Sequence, residues 1–138
     1  MIARTALAIF LVAVAAPAFA QAVPSKTSTI TAAMPAPDDR ARQWLVLVDD
    51  KNYAQSWSDA SKGFQAKQKT DAWATQEAAN REPLGAVASR DLKSIDIGKA
   101  NLAVIHYDTV FAHKAQAVET VTLTFGNGGW SVTGYSIE

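Results

Sequence analysis

The stretch Ala117–Ile137, AVETVTLTFGNGGWSVTGYSI, decides the fold. Its centre, Asn127-Gly128, is the strongest two-residue hairpin signal in the chain. Both residues tolerate the left-handed backbone that a tight turn between twisted strands demands. Folding about that turn opposes Phe125 with Trp130, Leu123 with Val132 and Val121 with Gly134. Opposed residues share a face of the sheet, so one face is apolar, while Thr120, Thr122, Thr124, Ser131 and Thr133 take the other. Alternation of this kind means that one face is covered by other elements.

The same period of two runs back to Leu84. A looser connection over Ala112–Gln116 opposes Phe111 with Ala117, Thr109 with Glu119 and Tyr107 with Val121. A turn at Gly98-Lys99 opposes Arg90 with Tyr107 and Leu92 with Ile105. All three turns put bulky residues on one face, and a one-residue slip would invert any of them. Four antiparallel strands are predicted, at about 85–97, 100–111, 117–126 and 129–137.

Before Leu84 the spacing is helical. Asp38 follows Pro37 and can cap a helix through its carboxylate. Ala41, Trp44, Leu45 and Val48 then recur at i, i+3, i+4 and i+7. The run WLVLVDDKNYAQSW, Trp44–Trp57, breaks at the polar Asp49–Asn52 and resumes with Tyr53, Trp57, Ala60 and Phe64. It reads as two helical segments meeting at a solvated corner. A further helix is predicted from Asp71, capped by Thr70, through Asn80, with Trp73 inward; Pro83 prevents its continuation. By period Trp44, Trp57, Trp73 and Trp130 all fall at core positions. Helices first and strands after give an α+β fold: N-terminal helices packed on one face of a curved four-stranded antiparallel sheet.

The first residues, MIARTALAIFLVAVAAPAFAQA, combine Arg4, a short apolar run and small residues at Ala18 and Ala20. This is the pattern of a secretory signal peptide over 1–20, cut after Ala20 or after Ala22. The run is too short for a spanning helix, which needs roughly 20 residues. Periplasmic or secreted localisation follows, with no membrane attachment after cleavage. Residues 21–37, rich in proline, serine, threonine and alanine, read as a disordered leader, and 38–138 as a single domain. The chain has no cysteine, which removes disulfides, thiol chemistry and thiolate metal ligands. Thirteen basic and 13 acidic residues, with no basic run, argue against nucleic acid as a partner.

Taken in order, WLVLVDDKNYAQSW, REPLGAVASR, a strand ending HYDTVF, ETVTL and GWSVTGY resemble the domain of unknown function 4019 family, over roughly Arg40–Ile137. The resemblance implies a small exported bacterial protein with a cone-shaped fold like that of cystatin or nuclear transport factor. It implies no activity. One departure is visible: members often have glycine before the tyrosine of the first motif, where this chain has Lys51-Asn52.

The registers bring two charges onto the apolar face. Arg90 and Glu119 fall among Tyr107, Val121 and Trp130, on strands about 10 Å apart. Charges there must be paired or solvated. They form either a structural ion pair or, with Tyr107, the polar floor of a ligand cavity in which Arg90 holds an anion. Arg81 is read as a favourable helix end. His106 and Asp108 share a strand face at i, i+2, the spacing of a general base and its orienter, but that face is the threonine-rich one. No catalytic residue, metal site or cofactor is assigned. Leu102, Val104, Val110, Val118, Tyr135 and Ile137 add apolar area to the outer face, which suggests a homodimer formed through it. The leading expectation is a non-enzymatic binding module that uses the concave face for a small anionic or apolar ligand or another protein. The alternatives are a small enzyme with acid–base chemistry through Glu119, and a structural envelope protein dimerising through the outer face.

Overall fold

The computed structural model describes residues 35–138. The signal peptide expected at 1–20, and all of the expected leader except its last three residues, lie outside the described residues. Four helices precede four strands: α1 Pro37–Asp49, α2 Tyr53–Asp59, α3 Lys62–Lys67, α4 Thr70–Arg81, β1 Val87–Ile97, β2 Leu102–Phe111, β3 Lys114–Gly126 and β4 Gly129–Ile137. The strands form one antiparallel sheet in chain order, and helices cover one of its faces.

Helix α1 starts two residues earlier than a cap at Asp38 predicts, with Pro37 in its first turn, where a missing N–H costs nothing. Asp38 is not the cap. Its carboxylate instead accepts from Arg42 one turn on and from the Tyr107 hydroxyl of β2. Packing also reaches back beyond Asp38: Pro37 is buried, and the Trp130 indole donates to the Pro35 carbonyl at 2.7 Å. α1 ends in a Schellman motif. Lys51 takes a left-handed φ of 60°, its N–H bonds Val48 O and the Asn52 N–H bonds Leu47 O. Glycine is the residue that adopts this backbone without strain.

The segment Tyr53–Phe64 is not one helix. The backbone becomes extended at Ala60, and Ser61 caps a second short helix by accepting from Phe64 N–H. Thr70 begins α4 as a helical residue and does not cap it. After a 3₁₀ turn at Glu82–Leu84, Gly85 takes φ 76°, and a Cβ there would come within 3.0 Å of Ala112.

The sheet keeps the predicted faces except at the end of β4, and it shifts the predicted pairs. Phe125–Trp130 and Leu123–Val132 pair as expected around Asn127-Gly128. A bulge at Thr122/Leu123 then changes the register, so Val121 faces Tyr135 rather than Gly134. Tyr135 therefore turns to the helix-covered face, not the outer one, and Ile137 opposes Glu119. β2 and β3 are joined by a tighter turn than expected, with Phe111 opposite Lys114. Tyr107 consequently faces Glu119, and Thr109 faces Ala117, two residues from the expected partners. Between β1 and β2 the turn is Lys99–Asn101, not Gly98-Lys99, with Ala100 and Asn101 both left-handed. Arg90 then faces Thr109, and Leu92 faces Tyr107. A shift of two preserves the face, which is why the core survives these corrections.

That core contains Ala41, Trp44, Leu45 and Val48 of α1, Phe64 of α3 and Trp73 of α4, set against Ile105, Tyr107, Val121, Leu123 and Val132 of the sheet. The indole N–H groups are satisfied: Trp44 on Ser56 O, Trp57 on Gln68 O, Trp73 on Ser56 Oγ and Trp130 on Pro35 O.

Candidate functional site

Two helices and all four strands each send one side chain to a single point under the helix layer. Asp49 is the last residue of α1, and Arg81 is the last of α4. Arg90 comes from β1, Thr109 from β2, Glu119 from β3 and Tyr135 from β4. Arg90 sets Nε against Glu119 Oε2 at 2.6 Å and Nη2 against Oε1 at 3.1 Å. Its Nη1 and Nη2 reach Asp49 at 2.8 and 2.9 Å. Arg81 donates from Nη1 to Glu119 and to the Tyr135 hydroxyl, and from Nη2 to Asp49. Thr109 and Tyr135 donate their hydroxyls to Glu119. Glu119, fully buried, thus accepts five hydrogen bonds, and the two guanidinium groups balance the two carboxylates.

The electrostatics follow from this geometry. Burial alone would raise the pKa of Asp49, but the hydrogen bonds and charges of Arg90 and Arg81 outweigh it and hold that pKa below the ordinary value. Burial would lower that of Arg90, and Asp49 and Glu119 together push it up instead. Burial and the charge of Glu119 hold the Tyr135 phenol well above its usual range. The cluster is charge-neutral, and its strong donors and acceptors are turned on one another. It fastens the ends of α1 and α4 to the sheet.

The structure brings together Arg90 and Glu119 as the spacing suggests, but Tyr107 goes elsewhere. Its hydroxyl donates to Asp38 at 2.6 Å, and its fully buried ring lies under the Arg42 guanidinium, 5.1 Å from the centroid. Burial and Asp38 raise its pKa far above normal. Arg81, expected to serve only as a helix end, is 6 % exposed and central to the cluster. Asp49, expected in a solvated corner, is its α1 member. Spacing carried a signal for both: Asp49 is four residues from the buried Leu45, and Arg81 is eight from the buried Trp73. Tyr135 had no such signal, because the bulge that turns it inward leaves no mark in the alternation. His106 and Asp108 stay on the outer face with separate partners, Thr120 Oγ1 at 2.9 Å and Lys93 Nζ at 2.9 Å.

Two of the openings beside the cluster lie on the side of α1. A cleft of about 510 Å³ lies at the α1–α2 corner, bordered by Asp49, Lys51, Tyr53, Arg81 and Val87. The second is a strip of the concave face itself. Leu92, Ile95 and Ile97 of β1 are in register with the fully buried Tyr107, Ile105 and Ala103, yet they are 42, 36 and 66 % exposed. The cause is the path of α1, which packs on β2, β3 and β4.

The family model described as "Protein of unknown function (DUF4019)" matches residues 40–135, and the chain belongs to that family. A comparison with curated proteins found no match. Among solved structures the chain is similar to an NTF2-like protein of Campylobacter jejuni described as a candidate transpeptidase. Identity is 20 %, 70 % of this chain and 95 % of that one are covered, and the TM-score is 0.49. At that level the fold assignment rests on the helices and sheet described above, not on the neighbour.

Proposed function

We propose that this protein is a non-enzymatic binding module, exported from a bacterial cytoplasm by residues 1–20, which receives an apolar group on the uncovered strip of its concave face. One observation carries the reading: Leu92, Ile95 and Ile97 face the core side of the sheet but are left in solvent. Core-side apolar residues without a cover favour a partner. An apolar ligand suits the strip better than an anionic one, because Arg90 gives all three of its nitrogens to Asp49 and Glu119. In this reading Arg90 and Glu119 hold β1 under α1, and Tyr107 shapes the inner wall of the strip. Acid–base chemistry through Glu119 fits less well, since a fully buried carboxylate with five donors has no free face for a substrate.

The test is native mass spectrometry of the mature protein recovered gently from cells that export it, beside Leu92→Asp and Ile95→Asp. An adduct or partner lost in both variants, with unchanged circular dichroism, supports the proposal. An adduct that survives both substitutions, or a bare protein whose residue 95 cross-links to nothing, removes it.

A further inference from the structure

A second place in the molecule holds an unbalanced charge. Glu77 of α4 is 2 % exposed, and its Oε1 has no hydrogen-bond partner among the described residues. Buried carboxylates are ordinarily paired. The nearest guanidinium, that of Arg81 one turn on, is committed to Glu119, Tyr135 and Asp49. The other groups around Glu77 do not neutralise it. Tyr53 of α2 and Tyr135 of β4 are phenols whose pKa is raised by burial. Glu119 of β3 repels it, and Asn80 offers it a hydrogen bond from a neutral amide, not a counter-charge. Lys114 of β3 lines the same cleft and forms no ion pair among the described residues.

Glu77 lines a cleft of about 280 Å³ between α4 and the end of β4. Gln76, Asn80 and Ser136 give it polar walls, while Leu84, Tyr135 and Ile137 give it apolar ones. The size exceeds that of a bare ion, and no group of three metal-ligating side chains is present among the described residues. We propose that this cleft is a binding site for a small organic ammonium, whose cation pairs with Glu77 while its carbon skeleton rests on Tyr135 and Ile137. An aromatic wall, a carboxylate with one unpaired oxygen and side-chain amides are together the chemistry that recognises an alkylammonium. The site is separate from the concave strip, so either assignment can fail alone.

The binding must be coupled to proton release from Glu77. Burial pushes the Glu77 pKa up to about 7, an effect that Arg81 and Asn80 only partly offset. A cationic ligand selects the ionised form, so affinity rises with pH through neutrality. Ethanolamine is the probe, titrated calorimetrically into the mature protein at pH 6 and pH 8. The expected result is saturable binding, about tenfold weaker at pH 6 than at pH 8, and absent from Glu77→Gln with an unchanged circular dichroism spectrum. The pH ratio tests the wild-type chain and does not depend on the variant folding. Absence of saturable binding overturns the proposal, as does binding without pH dependence or unchanged in Glu77→Gln. Binding that appears only in Lys114→Met overturns it too, because Lys114 then supplies the counter-ion in the native chain.

Discussion

The helix layer is held to the sheet in two regions that solve the same problem by different physics. In the first, Phe64 meets Trp44 and Trp73 edge to face while the two indoles meet each other at a tilt, with centroids 4.9 to 6.2 Å apart. In the second, Asp49, Arg81, Arg90 and Glu119 form a neutral ionic knot. Tyr135 belongs to both. Its ring packs against Trp44 and Trp73 at 5.4 and 6.5 Å, and its hydroxyl lies between Arg81 and Glu119. The aromatic region gains from apolar area and contact, so its contributions are graded with size. The ionic region gains only while every partner is present, because an orphaned buried charge keeps its full desolvation cost.

The largest effects test that contrast directly. Trp44→Ala is expected to cost about 4 kcal/mol through the cavity it leaves. Glu119→Ala is expected to cost ~4 kcal/mol as well, by leaving two buried guanidinium groups to share the single carboxylate of Asp49. The two regions part company on wholesale replacement. Exchanging Asp49, Arg81, Arg90 and Glu119 together for apolar residues of similar volume should cost much less than Glu119→Ala alone. No such rescue exists for the aromatic trio. Urea midpoints for the three proteins decide it; a quadruple variant less stable than Glu119→Ala would mean that the knot stabilises by attraction, not by mutual satisfaction.

The same contrast predicts different responses to pH. The aromatic trio does not titrate. The ionic region and its neighbour Glu77 do, in opposite senses. The pKa of Asp49 is depressed in the fold, so its contribution is present above the unfolded value of 3.8 and disappears as pH falls below it. That of Glu77 is raised from 4.5 to about 7. The unfolded chain therefore ionises first, and stability present below 4.5 is lost as pH rises through 7. The loss amounts to ~3 kcal/mol at most. Glu77→Gln should flatten the alkaline side of the profile and leave the acid side in place. A wild-type profile flat between pH 5 and 8 would contradict this.

What could be read from sequence divides along the same line. The aromatic region was legible because Trp44, Trp73 and Phe64 sit on helical stripes, and stripes report burial directly. Half of the knot was legible too, since Arg90 and Glu119 fall on an apolar face in any register of the right parity. Asp49 and Arg81 were harder. Both end a helix, where a charge is normally solvated, and only the crossing of helix and sheet shows that these ends are buried. Tyr135 and the uncovered strip on β1 depend on a bulge and on the path of α1. Both are tertiary outcomes that alternation does not encode.

Tyr135→Phe isolates the junction of the two regions. It keeps the ring in contact with Trp44 and Trp73 and removes only the hydroxyl. Glu119 would retain four donors, and Arg81 would retain both carboxylates. The expected loss is about 1.5–3 kcal/mol, the range for a buried hydrogen bond to a charged group, as the hydroxyl's bonds to Glu119 and Arg81 are lost together. Tyr135→Leu also removes the ring and should lose clearly more; equal losses would show that the aromatic half of this residue contributes nothing.

The smallest effect concerns how Asp49 is delivered to the knot. Lys51, two residues on, holds a left-handed φ of 60° to close α1. That backbone costs a residue with a side chain roughly 1 kcal/mol, a cost glycine avoids, although glycine also gives up more entropy on folding. Lys51→Gly should therefore raise stability by a few tenths to about 1 kcal/mol. The Schellman bonds come from the backbone of Lys51 and Asn52, so the substitution leaves them, and with them Asp49, in place. Loss of stability in Lys51→Gly would mean that the lysine side chain, at the rim of the 510 Å³ cleft, supports the knot in a way its backbone angle does not reveal.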